Sequence, residues 1–183
     1  KKHIKNKCLI INVIDPVINY VTDQAYIKNL GVIGTTATIS SNIYEQLIKK
    51  NRNDINVHSL ATPLLASLIE KDDCQITKKK ILESYLNDEK LKKIDSLILG
   101  CTHYPLIEHQ INIFYKKKVL LISSIKHIGI MIRDVLHNKK LLNTSPNNIQ
   151  HNFYVSNYTM SFQRKTELFF SSSINLEEEN IFS

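Results

Sequence analysis

The sequence predicts an α/β fold built on an open, mainly parallel sheet flanked by helices. Two observations carry this. Short apolar runs at 30–33 and 97–99 each end at a glycine, Gly34 and Gly100, which is how a strand buried on both faces reads. Each run is followed by apolar residues at helical spacing. Ile39, Ile43, Leu47 and Ile48 follow the first, and Leu106, Ile107, Ile111 and Phe114 the second. Both units therefore read strand, glycine turn, helix. In such layered folds ligands gather at the carboxyl ends of the strands, where both glycine turns lie.

In chain order, residues 8–14 form an apolar run closed by Pro16, expected as the last strand of a preceding domain. Residues 55–60 read as a strand and 63–70 as a short helix. The spacing over 76–86, extended to Leu91, predicts a longer amphipathic helix. Residues 119–123 read as the strand on which the chain returns to the earlier domain. The segment NKKLLNTSPNNIQHN (138–152) is polar and turn-rich, a loop. A short strand at 152–155 and a helix at 161–170, with Phe162, Leu168 and Phe169 to bury, close the chain. There is no internal repeat.

With 183 residues, 43% hydrophobic and 22% charged, the composition is that of a globular protein and excludes a wholly disordered chain. Lys, Asn and Ile are enriched along its whole length, which weakens any argument from the net charge of +7. The positive runs (Lys1-Lys2, 78–80, 116–118, Lys139-Lys140) lack interleaved aromatics and read as solvated surface rather than a nucleic-acid site. Cys8, Cys74 and Cys101 form no CxxC pair, so reduced thiols in the cytoplasm are expected. No apolar run approaches the roughly 18 residues a membrane span needs, and no export signal is visible.

Two segments carry chemistry. In LILGCTHYP (97–105), Cys101 lies just past a buried strand, with Pro105 placed as a first helical residue. Helix-terminal N–H groups there can stabilise a thiolate, and His103 can pass a proton or hold substrate. A buried structural cysteine beside a satisfied histidine fits the local spacing equally well. In GVIGTTATISS (31–41), hydroxyls and free N–H groups between strand end and helix start make a cradle for a carboxylate or phosphate. Taken alone, the segment is better explained by ordinary capping through Thr38, Ser40, Ser41 or Asn42, with Glu45 completing a capping box after Asn42.

Together the two stretches resemble the glutamate racemases. LILGCTHYPLI (97–107) is similar to their second-cysteine motif, and GVIGTTATISSNIYEQ (31–46) to the substrate loop after the first strand of their second domain. INVIDPV (11–17) resembles the domain-crossing segment. HSLATPLLASLIEK (58–71) resembles a stretch bearing an acidic residue, here Glu70, and FYVSNYTMSFQRKTELFF (153–170) the closing strand and helix. The resemblance implies two similar α/β domains facing each other across an amino-acid cleft, without cofactor or metal. One thiolate would remove the α-proton of glutamate while an opposing thiol supplies one on the other face. It implies Cys101 as the second-domain acid/base, His103 as its helper and Glu70 as an aid to proton handling. Thr35, Thr38 and Thr102 would be the substrate contacts. The Thr-His after Cys101 is similar to glutamate rather than aspartate racemases, which tend to carry Thr-Glu there. A homodimer supplying D-glutamate for peptidoglycan in a bacterial cytoplasm is the implied setting.

The family's Asp-Ser loop, Tyr-Gly loop and first catalytic Cys-Asn-Thr motif do not precede INVIDPV, and Cys8 reads as core. The expected organisation is therefore 1–13 as the end of a truncated first domain, 14–122 as the second domain, and 123–183 as the segment returning to the first. The chain alone is expected to be inactive, with the tails' apolar faces partly uncovered. Smaller departures are Asp15 for Glu, Thr62 for Cys, Ser123-Ser124 for Asp-Ser and Asn157-Tyr158 for Gly-Asp. They leave open a degenerate, non-catalytic binding protein, or a racemase for aspartate or a related amino acid.

Overall fold

The computed structural model describes residues 9–70, 74–143, 151–170, 172 and 174–180. The chain divides into two compact units, Lys1–Leu142 and Asn143–Ser183. The first holds a four-stranded sheet of β1 (Asn29–Gly34), β2 (Asn56–Ala61), β3 (Ser96–Leu99) and β4 (Leu120–Ser123). Their order is β2-β1-β3-β4 and every pairing is parallel. The two runs read from the sequence are the two central strands, and β3 is buried at every position because both its faces are covered.

Successive side chains of these strands point to opposite faces, which sorts the core into two layers. Val32, Ile98 and Ile122 meet Val17 and Val21 of α1 (Asp15–Asp23) and Tyr44 and Ile48 of α3 (Ile43–Asn51). Ile33, Leu97 and Leu99 meet Leu65 of α4 (Leu65–Glu70), Leu82 and Leu86 of α5 (Gln75–Leu86) and Ile111 of α6 (Glu108–Phe114). Each fully buried Leu, Ile or Val stabilises the fold by about 1.5–3 kcal/mol before conformational entropy is counted. At the amino rim of the sheet, Asp95 Oδ2 accepts hydrogen bonds from the N–H groups of Lys28 (2.8 Å) and Asn29 (2.7 Å). Nearby, Arg52 and Lys28 hold the Asp54 carboxyl well below the usual carboxylate range.

Several sequence expectations are corrected. Residues 9–12 form no strand, and Cys8 lies outside the described residues. Among the described residues no strand pairs with the run, and Asn12 Oδ1 accepts from the N–H groups of Ile14 (2.9 Å) and Asp15 (2.8 Å) as α1 begins. Leu9, Ile10 and Val13 are exposed. The helix expected after Gly34 is two: α2 (Thr36–Ser40) stops short of α3 because Asn42 adopts a left-handed φ of 52°. The helix over 76–91 ends at Leu86. Asp88 then accepts from Lys90 N–H at 2.9 Å and starts a separate 3-10 turn, Glu89–Leu91.

Strand β4 does not leave for another sheet; it pairs along β3, with Leu99 opposite Ser123. It runs straight into α7 (Ser124–Asn138), which packs on α1 with the Tyr20 and His127 rings 4.2 Å apart. Ile125, Ile130 and Ile132 of α7 are exposed. Helix α7 thus runs to the start of the expected loop at 138–152, of which 144–150 lie outside the described residues.

In the second unit β5 (Phe153–Val155) pairs in parallel with β6 (Leu176–Glu178), and α8 (Met160–Phe170) lies between them in sequence. The Phe153 and Phe170 rings meet edge to face at 5.0 Å. Phe162, expected to be buried, is exposed; the side chains of Leu168 and Phe169 are outside the described set. Among the described residues no helix is long and apolar enough to cross a membrane.

Candidate active site at the carboxyl edge of the sheet

The two glycine turns lie side by side because β1 and β3 are adjacent and parallel. Gly100 N–H donates to Ile33 O at 2.8 Å, carrying the ladder one residue past β3. A Cβ on Gly100 would lie 2.7 Å from that same carbonyl oxygen, so only glycine permits the approach. A Cβ on Gly34 would meet Thr38 at 3.1 Å and the Gly100 carbonyl at 3.4 Å. Gly34 therefore stands between the threonine loop and the cysteine turn.

The threonine loop closes on itself. Thr35, in extended conformation, is the N-cap of α2: its Oγ1 accepts from Thr38 N–H at 3.2 Å and lies 3.0 Å from Thr38 Oγ1. Capping of α2 is thus real but falls to Thr35, and of the residues favoured from sequence only Ser41 bonds a helix-start N–H, at α3. Asn42 makes no side-chain cap; Ser41 Oγ instead accepts from Ile43 N–H at 3.4 Å. Thr35 and Thr38 are both half-buried.

The cysteine turn is built differently. Tyr104 N–H donates to Cys101 O at 3.2 Å, and a 3-10 turn (Tyr104–Ile107) containing Pro105 follows without a side-chain cap. The Cys101 thiol is half-buried and lies 3.7 Å from His103 Nδ1. The other ring nitrogen, Nε2, is 2.6 Å from Glu70 Oε1 at the end of α4. Cys101, His103 and Glu70, selected in the sequence, are therefore brought into one line in which the carboxylate orients the imidazole and the imidazole faces the thiol. Thr102 is exposed between Cys101 and His103.

Two phenols that sequence reading did not select border the turn. Burial first, then the nearby Cys101 charge, pushes Tyr44 upward. Tyr104 is pushed up to about 12, chiefly by burial; its hydrogen bond with Thr62 acts the other way, and Cys101 and Tyr85 add to the rise. Both stay neutral where an acid/base thiol would work. Among the described residues no group of three His, Cys, Asp or Glu side chains could hold a metal ion.

A thiol in hydrogen-bond reach of an oriented histidine, beside a hydroxyl loop at a sheet's carboxyl edge, can exchange a proton with a bound molecule. Comparison with known proteins identifies the family. A glutamate racemase from Aquifex aeolicus is 37% identical over 131 residues, 71% of this chain and 50% of its own length. One from Listeria monocytogenes is 33% identical over 156 residues, 84% of this chain and 58% of its own. The chain spans about half the length of the curated relatives it matches. Among solved structures, a glutamate racemase isoform from Bacillus anthracis aligns with a TM-score of 0.85 at 30% identity, over 96% of this chain and 66% of that one. A Francisella tularensis glutamate racemase in complex with D-glutamate aligns at 0.81 and 34%, over 92% and 63%. Residues 6–127 match the family model described as Asp/Glu/Hydantoin racemase. This chain belongs to that racemase family.

Proposed function

We propose that these residues form one half of a glutamate racemase that interconverts L- and D-glutamate without a cofactor, Cys101 being one of its two acid/base thiols. The observation that carries this reading is the line from Glu70 through His103 to the Cys101 thiol, with contacts of 2.6 and 3.7 Å. The relatives' names support glutamate as the substrate, and the Francisella relative was solved with D-glutamate.

In this reading the Cys101 thiolate takes the α-proton from one enantiomer, and a thiol on the opposite face delivers a proton to the planar intermediate. For the reverse substrate, Cys101 delivers the proton. Taking a proton from beside an existing carboxylate builds negative charge next to negative charge. Fixed dipoles aimed at that charge therefore matter, and Thr35, Thr38 and Thr102 would hold the substrate's carboxylate and amino groups. His103 faces the thiol and Glu70 holds the ring.

The opposing thiol is assigned to the facing domain of the full-length enzyme. Residues 14–122 then act in the second of two facing domains, with 1–13 assigned to the end of the first; of the expected returning segment 123–183, α7 stays packed on α1 and only the chain beyond it is left to return. The working enzyme is read as a cytoplasmic homodimer whose product, D-glutamate, enters peptidoglycan.

The test is deuterium exchange at the α-carbon of each glutamate enantiomer, followed by NMR in heavy water with the full-length protein. Cys101→Ala should lower racemisation by about a thousandfold or more and abolish exchange from one enantiomer. Unchanged exchange from both enantiomers would remove Cys101 from the mechanism.

A further inference from the structure

A buried hydroxyl pair ties the two turns together from below. Thr62, just past β2, and Tyr104, in the cysteine turn, are 1% and 0% exposed, and their hydroxyl oxygens are 2.6 Å apart. Thr62 Oγ1 is also 3.1 Å from Gly34 O, which accepts from Thr62 N–H at 2.8 Å as well. Each hydroxyl has one proton. If Thr62 gives its proton to Gly34 O, Tyr104 must give its own to Thr62 Oγ1, with Thr62 O at 3.3 Å as a weaker second acceptor. The phenol is the more acidic donor, so the run reads Tyr104 to Thr62 to Gly34.

The two ends of that run decide its meaning. Gly34 O belongs to the peptide leading into Thr35, and a planar trans peptide held by its oxygen turns the Thr35 N–H the opposite way. At the other end, Tyr104 N–H is bonded to the carbonyl of Cys101 itself at 3.2 Å. A pair that only satisfied itself in the core would not need to end on both turns.

We propose that Tyr104 and Thr62 are positioning residues whose hydroxyls lock the Cys101 turn to the Gly34–Thr35 peptide and so set where the thiol stands beside the threonine loop. This rests on the reading of Cys101 as the working thiol. Its test needs no racemase activity, so the two ideas can fail separately. Removing the Tyr104 hydroxyl takes away the donor to Thr62 Oγ1, and removing the Thr62 hydroxyl leaves Tyr104 only the weaker Thr62 O at 3.3 Å. The turn then shifts to find another, and Cys101 moves relative to His103.

The measurement is the rate at which iodoacetamide alkylates Cys101, resolved by peptide mass spectrometry across neutral and mildly alkaline pH. Exposed Cys74 in the same chain is the reference. Tyr104→Phe and Thr62→Val should each change the Cys101-to-Cys74 rate ratio by at least about threefold and displace its pH profile, because alkylation follows thiolate fraction and access. Combining them should add nothing further, as the two act through one contact. Thr62→Ser, which keeps the hydroxyl, should restore the ratio. An unchanged ratio in folded Tyr104→Phe and Thr62→Val chains overturns the proposal, whatever their melting temperatures. So does loss of the folding transition in both, which would make the pair a fold element and not a positioning one.

Discussion

The turns after β1 and β3 begin alike and end differently. Both follow buried central strands, both start at a glycine, and both sit at the same edge of one sheet. After Gly34 the chain completes its own helix cap, using the Thr35 hydroxyl on Thr38. After Gly100 it enters a 3-10 turn that no side chain caps, and the Cys101 thiol is left to His103. One turn satisfies itself and offers a rigid wall. The other links its thiol to a distant element, α4, through His103 and Glu70. A site that must gain and lose protons is better built on the second kind of turn, with the first kind as its support.

Substitution of the two glycines should break this comparison most sharply. Gly100→Ala sets a methyl 2.7 Å from a backbone carbonyl that cannot move aside, so unfolding in urea should show a loss of about 3 kcal/mol or more. Gly34→Ala meets mainly the Thr38 side chain, which can give, and should cost about 1 kcal/mol. Equal losses would mean that the turns are not packed as differently as described. Next in size, Thr35→Val removes the α2 cap while keeping the side-chain shape. It should cost about 1 kcal/mol in the same assay. It should also leave the alkylation rate of Cys101 nearly unchanged if the threonine loop is only a wall.

The smallest effect lies on α7, at His127. Burial first, then Lys126, lowers its pKa below the usual 6.5. The unfolded chain therefore binds its proton more readily. The stability this contributes is complete above 6.5 and is lost as pH falls through the lower folded value. The melting temperature should drop as pH falls below about 6.5, and His127→Phe should flatten that slope while keeping the ring against Tyr20. A slope unaltered by that change would place the acid sensitivity elsewhere.

What was legible in the sequence was what local pattern encodes. Apolar runs closed by glycine gave β1 and β3 because strands buried on both faces need no partner information to be recognised. Residues 8–14 carry the same kind of run, yet 9–12 make no strand. A strand needs a neighbour to bond, and composition does not say whether one is present. Helix breaks were missed where one residue's backbone decided them, as at Asn42 with its φ of 52°. At the candidate site, motif resemblance selects Cys101, His103 and Glu70, and the structure brings the three into contact. The Thr62–Tyr104 pair is not selected, because its members are 42 residues apart and neither Thr nor Tyr announces a bond across that distance.

The amino rim of the sheet has a consequence for the opposite edge. Asp95 fastens the entry of β1 through two backbone N–H groups, while its second oxygen, Oδ1, is buried without a partner. Between these two rims β3 is bonded to β1 on one side and β4 on the other and is buried along its whole length. The level at which Asp95 seats β1 against β3 is therefore carried, residue for residue, to the height of the Gly34 turn beside the Gly100 turn.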